Sequence, residues 1–216
     1  MTTGEPSPVS HPAAGNADRP ASRRRAAAAA GHAGDEVTAR RYLDDDDPGV
    51  RATALAALVR SGHVTPADVV AALRDPHPTV RRRACAAAIP FGQVDLTALL
   101  ADTDVTVVEA AAWALGERSG DSAGAVPALV AIAGGHDDAL CREAAVAALG
   151  AIGHGDGLPA ILAAMGDKPA VRRRAVLALA PFDGPEVDAA LRAALEDRDW
   201  QTREAAADLL GDDPEE

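Results

Sequence analysis

Small apolar residues recur along this chain at a spacing of about thirty. Val50, Val80, Val107, Cys141, Val171 and Thr202 are separated by 30, 27, 34, 30 and 31 residues. Four residues after each stands alanine: Ala54, Ala84, Ala111, Ala145, Ala175 and Ala206. Eight residues after each come Leu58, Ala88, Leu115, Leu149, Leu179 and Leu210. Positions 0, +4 and +8 lie on one stripe of an α-helix. Two residues before each anchor stand Pro48, Pro78, Val105, Ala139, Pro169 and Trp200. Proline is tolerated in a first helical turn, where its missing N–H would be unpaired anyway. Each start follows closely on an aspartate: Asp47, Asp75, Asp102, Asp137, Asp167 or Asp197. The pattern therefore predicts six helices beginning near those residues.

A second, shorter amphipathic stretch precedes each of them. These are Glu36–Leu43, Pro66–Leu73, Leu96–Ala101, Val126–Ala133, Leu158–Met165 and Pro185–Leu195. Turn residues such as Ser119-Gly120-Asp121 and Gly155-Asp156-Gly157 separate successive units. Each unit is a helical hairpin that cannot bury its apolar face alone, and stacking supplies the common core. The expected fold is all-α, an α-α superhelix (α-solenoid) of about six hairpins.

The two most regular units read ALGERSGDSAGAVPALVAIAGG and ALGAIGHGDGLPAILAAMGDKPAVRRRAVLALA. They resemble HEAT repeats of the short type found in phycobilin lyases, over residues 35–211. That resemblance implies second helices on the concave side and first helices on the convex side. It also implies a structural ladder of turn aspartates and helix arginines. Its members are Asp45 with Arg51, Asp75 with Arg81 and Asp197 with Arg203, joined by Arg142 and Arg172. On this reading Val108, standing where the arginine should be, leaves Asp102 without a partner.

Composition and charge narrow the function. Aromatic residues make up 2% of the chain, so the core is built from alanine, valine and leucine. Residues 1–34 are rich in Pro, Ala and Arg without a hydrophobic period, and read as a disordered tail. They carry a net charge of +2 within an overall −12, which leaves −14 on the remainder. So acidic a body repels phosphate backbones, and nucleic-acid binding would fall to the basic tail. Residues 212–216 read as an acidic C-terminal tail. Cys85 and Cys141 are expected to be buried, unpaired thiols of a cytoplasmic protein. No apolar run approaches the ~20 residues of a membrane span.

Catalytic groups are not in evidence. Deoxyhypusine hydroxylase, an enzyme on this kind of fold, holds iron through His-Glu pairs near the start of second helices. The matching positions here are Arg82-Arg83, Glu109-Ala110, Arg142-Glu143 and Arg203-Glu204, all without histidine. The histidines His63, His77, His136 and His154 fall in loops without metal-ligand spacing. No cofactor or metal is expected. The acidic run Asp44-Asp45-Asp46-Asp47 lacks the alternation of a calcium loop and suits a helix start instead.

The remaining feature is the face that second helices expose. Position +2 carries Arg82, Glu109, Glu143, Arg173 and Glu204, and position +6 carries Trp113 where other units have smaller residues. Arg82, Glu109, Trp113, Glu143, Arg173 and Glu204 are thus the candidate partner-binding residues of a protein-interaction scaffold that is a monomer or weak oligomer. An accessory lyase or small-molecule enzyme is the alternative function.

Overall fold

The computed structural model describes residues 19–118 and 122–211. The first eighteen residues of the expected tail, the turn at 119–121 and the C-terminal tail at 212–216 lie outside the described residues. The chain divides into two compact units, residues 1–63 and 64–216.

The first unit contains α1 (Pro20–Ala33), α2 (Glu36–Arg41) and α3 (Pro48–Ser61). The helix α1 corrects the expectation of a disordered segment through residue 34. It packs along α3, burying Ala27, Ala30 and Gly31. Its sequence explains why. Pro20-Ala21-Ser22-Arg23-Arg24-Arg25-Ala26 differs from the opening of a later second helix, Pro169-Ala170-Val171-Arg172-Arg173-Arg174-Ala175, only in Ser22 for Val171. α1 is therefore a further second-type helix. Arg23 reaches both carboxylate oxygens of Asp45, at 2.7 and 3.0 Å, and Arg24 lies 3.4 Å from Asp47. Two of the four arginines that suggested a nucleic-acid-binding tail, Arg23 and Arg24, are thus engaged in this packing. Replacing Arg23 with alanine removes the bidentate cationic partner of Asp45, whose side chain is only 8% exposed. A loss of about 1 kcal/mol is expected, read as a lower urea midpoint.

Asp47 Oδ1 accepts from the Val50 backbone N–H at 3.0 Å, so the acidic run does cap a helix start. Gly62 ends α3 at φ 75°, the left-handed conformation that lets the chain turn without a Cβ penalty.

The second unit is α4 (Pro66–Leu73), α5 (Pro78–Ala87), α6 (Val105–Gly116), α7 (Val126–Gly135), α8 (Ala139–Ile152), α9 (Leu158–Ala164), α10 (Pro169–Ala178), α11 (Pro185–Ala194) and α12 (Trp200–Leu210). Between α5 and α6, the expected first helix is a 3₁₀ turn, Thr97–Ala101. Its approach loop is held by Arg118, which donates to the Val94 carbonyl at 2.6 Å. The six second helices that the sequence pattern predicts, α3, α5, α6, α8, α10 and α12, all start at the residue it indicates. No strand occurs among the described residues.

Second helices pack in series, α5 on α6, α6 on α8, α8 on α10 and α10 on α12. Each first helix covers its own second helix, as α4 does α5 and α11 does α12. The anchors and the +4 alanines form the core: Val107, Ala111, Cys141, Ala145, Val171 and Ala175 are fully buried. Cys85 and Cys141 are free and buried, and burial pushes their thiols up to about 12 and about 11.

The arginine–aspartate ladder exists, with a different pairing from the one expected. Arg81 Nη1 donates to the backbone carbonyl of Asp75. Arg51 and Arg203 likewise bond the carbonyls of Asp45 and Asp197. The rest of the guanidinium crosses to the next repeat. Arg81 grips both oxygens of Asp102 at 2.7 Å, Arg142 those of Asp167 at 2.6 and 2.8 Å, and Arg172 those of Asp197 at 2.8 Å. Asp102 is therefore paired, contrary to expectation. The missing rung lies one step later. Val108 is buried, and the turn position opposite it holds His136 in place of aspartate. His136 Nδ1 still accepts the Asp138 N–H at 3.0 Å, so the turn keeps its shape. Neither end of that rung carries its usual residue, so no arginine or aspartate is stranded there.

Candidate functional site

The exposed face of α5, α6, α8 and α10 carries a trough that centres on Trp113. The indole is 47% exposed. Position +6 on the flanking helices is Ala86 and Ala147, and these small residues leave the space the trough occupies. Its main section has a volume of about 560 Å³, lined by Glu109, Trp113, Glu117, Leu140, Glu143 and Arg174, with alanines of α8 as the floor. Toward α5 it adjoins a hollow of about 230 Å³ that shares Glu109 and Trp113 and adds Arg82 and Thr106. Toward α10 it adjoins one of about 460 Å³ that shares Ala147, Ala151 and Arg174 and adds Leu177. The apolar side chains here are uncovered: Leu140 is 58% exposed and Leu177 44%.

Local geometry places each of these groups. Glu109, Trp113 and Glu117 stand at i, i+4 and i+8, which aligns them on one side of α6. Asp104 starts that helix by accepting the Thr106 N–H at 3.0 Å. Asp138 starts α8 the same way, through the Leu140 N–H at 2.8 Å. Across the trough, Arg174 Nη2 lies 3.4 Å from Glu143 Oε1, a pair between α10 and α8. Glu109 and Glu117 have no ion-pair or side-chain hydrogen-bond partner among the described residues.

Of the six candidate residues, the trough gathers Arg82, Glu109, Trp113 and Glu143. Arg173 and Glu204 are not part of its lining. Arg173 is instead hydrogen-bonded to Gln201 at the start of α12, and Glu204 is exposed on α12. Arg174, Glu117 and Leu140 take their place. The signal for Glu117 was present in its spacing of four from Trp113. Arg174 sits at position +3, beside the row formed by positions +2 and +6. The loop histidines have structural work: His77 Nδ1 accepts the Thr79 N–H at 3.2 Å at the start of α5. No group of three or more His, Cys, Asp and Glu able to hold a metal ion occurs among the described residues.

Models of HEAT repeats match the chain over residues 66–150, 93–170 and 126–211. The chain belongs to the HEAT-repeat family. The match is to HEAT repeats as such and carries no phycobilin-lyase subtype. Among solved structures, this HEAT chain is similar to human deoxyhypusine hydroxylase in complex with glycerol, at 23% identity and a TM-score of 0.46, over 90% of this chain and 80% of that one. It is also similar to a designed armadillo repeat protein in complex with the peptide (KR)4, at 17% identity and a TM-score of 0.49, over 87% and 88% of the two chains. An engineered protein aligns at 19% identity and a TM-score of 0.47, over 85% and 84%. No curated protein matches the sequence. Among the described residues, no helix is long and apolar enough to cross a membrane.

Proposed function

We propose that this HEAT-repeat protein is a non-catalytic scaffold that binds a segment of a partner protein in the trough on α5, α6, α8 and α10. The observation that carries this reading is Trp113. A tryptophan left 47% exposed in a depression, with alanine at the same position on the neighbouring second helices, contributes little to the fold. Large amphipathic side chains that fill or flank pockets dominate binding energy at protein interfaces. Leu140 and Leu177 extend the apolar surface, and the mixed charges of Glu109, Glu143, Arg82 and Arg174 supply a polar rim.

Placing a photo-crosslinking amino acid at residue 140, on the exposed wall of the trough, in the native cell, followed by mass spectrometry, identifies what touches the trough. Trp113→Ala is expected to weaken that partner by about 2 kcal/mol, roughly thirtyfold, while the thermal midpoint stays unchanged. Glu143→Arg, which puts a second cation beside Arg174, is expected to weaken it as well. Full-strength binding by both variants would refute the trough as the binding site.

A further inference from the structure

The trough has a charge pattern that selects its occupant. We propose that the bound segment is an extended cationic peptide whose arginine or lysine side chain seats on Trp113 between Glu109 and Glu117. This rests on the trough being the binding site.

The two carboxylates flank the indole along α6, one turn to either side, and all three line the same depression. Glu143 on the opposite wall is already matched by Arg174 at 3.4 Å. Glu109 and Glu117 are matched by nothing among the described residues. An apolar occupant would desolvate both carboxylates without compensation, and an acidic one would be repelled. A cation over a tryptophan face gains from the ring quadrupole, and tryptophan is the strongest of the aromatic platforms. The other charges facing the site are Arg82, exposed in the adjoining hollow, and Arg174, held by Glu143. Neither lies between the two free carboxylates along α6. The −14 carried by residues 35–216 draws cationic chains toward the surface at long range.

The length of the depression argues for a peptide over a small amine. Three adjoining hollows run from Arg82 past Trp113 to Leu177, sharing residues at each junction. A segment with a basic residue on Trp113 would lay neighbouring side chains against Leu140 and Leu177.

The test uses the full chain with Trp200→Phe, which leaves Trp113 as its sole tryptophan. Labelled peptides of equal length, alternating Arg-Ser, Leu-Ser and Glu-Ser, are titrated while tryptophan emission and peptide anisotropy are followed. The Arg-Ser peptide is expected to shift Trp113 emission saturably, with affinity that falls as salt rises. The double variant Glu109→Gln, Glu117→Gln is expected to weaken it by about tenfold, the scale of losing a close charge pair. Equal or tighter binding of Leu-Ser, or unchanged Arg-Ser binding to the double variant, overturns the cationic assignment. In either case the trough reading survives if Trp113→Ala abolishes that binding, and fails with it if Trp113→Ala does not. Absence of any emission change with all the peptides also overturns the assignment, and crosslinking at residue 140 then decides the trough separately.

Discussion

Arg172→Met is expected to lower the stability of the protein by about 3 kcal/mol, with the loss seen as a lower urea midpoint. The Arg172 side chain is 7% exposed and its partner Asp197 16%. The guanidinium joins three things: both Asp197 oxygens at 2.8 Å and the Asp167 carbonyl at 2.9 Å. Methionine keeps the volume of the aliphatic stem but strands a largely buried carboxylate and a turn carbonyl. Uncompensated groups of this kind cost far more than the intact pair contributes. Acid provides a second reading of the same contact. The Arg172 hydrogen bond holds the Asp197 carboxyl down at about 2, against 3.8 in the unfolded chain. A depressed carboxylate stabilises the fold above its unfolded pKa and stops doing so as pH falls through its folded one. The wild-type chain is therefore expected to lose this contribution between about pH 4 and pH 2. Asp102 and Asp167 are held low by Arg81 and Arg142 and act in the same direction. Arg172→Met has already lost its share, so its thermal midpoint is expected to fall less steeply over that range. Parallel curves for the two proteins would show that the pair does not carry the stability assigned to it.

The ladder also shows where sequence reasoning reaches and where it stops. Helix starts were legible because their causes are local. A proline and a turn aspartate act within a few residues, and all six starts fall where the sequence puts them. The carboxylate pairings were not legible. Asp75 and Arg81 are six apart, a recurring and conspicuous spacing, but that spacing delivers the arginine to the Asp75 carbonyl. The carboxylate contacts join residues 21 to 25 apart, and the separation varies with loop length. Only stacking in three dimensions brings those residues together. The missed helix α1 has a different cause. Its opening repeats that of α10, but Ser22 stands at the apolar anchor and the rest is mostly alanine, so a search for hydrophobic period passes over it. Trp113 was legible as the residue that breaks a pattern of small ones. Arg174 was not, because which face of α10 meets the trough depends on how α8 and α10 cross.

That crossing is set by glycine, and it gives the other large expected effect: Gly150→Val should destabilise the protein by about 3 kcal/mol, at the upper end for overpacking. Gly150 lies in α8, where α10 passes closest. A Cβ built there would stand 2.6 Å from the Cα and Cβ of Ala178 and 2.9 Å from its carbonyl oxygen. Two of those atoms are backbone, so no side-chain rotation relieves the clash, and the helices themselves must part. Gly116 meets Ala148 in the same way across α6 and α8, with its nearest contact at 3.0 Å, so a substitution there is expected to cost less. Within the first unit, Gly31 of α1 meets the Ala57 Cα at 2.6 Å, which marks α1 as a packed repeat helix by the same criterion. Intrinsic propensity pulls the other way, since alanine is favoured over glycine by about 1 kcal/mol in a helix. Gly134, in α7, has nothing within 4 Å of its would-be Cβ. Gly134→Ala should therefore stabilise the protein by about 0.5–1 kcal/mol. Opposite signs at two helical glycines of one chain separate packing from propensity. If Gly150→Val and Gly134→Ala shift the urea midpoint in the same direction, close helix approach is not what fixes the floor of the trough. The consequence for binding is direct. Ala147 and Ala151 lie on either side of Gly150 and line the trough together with Arg174. Parting α8 from α10 would carry Arg174 away from Glu143, and Gly150→Val is expected to weaken occupancy of the trough as well as the fold.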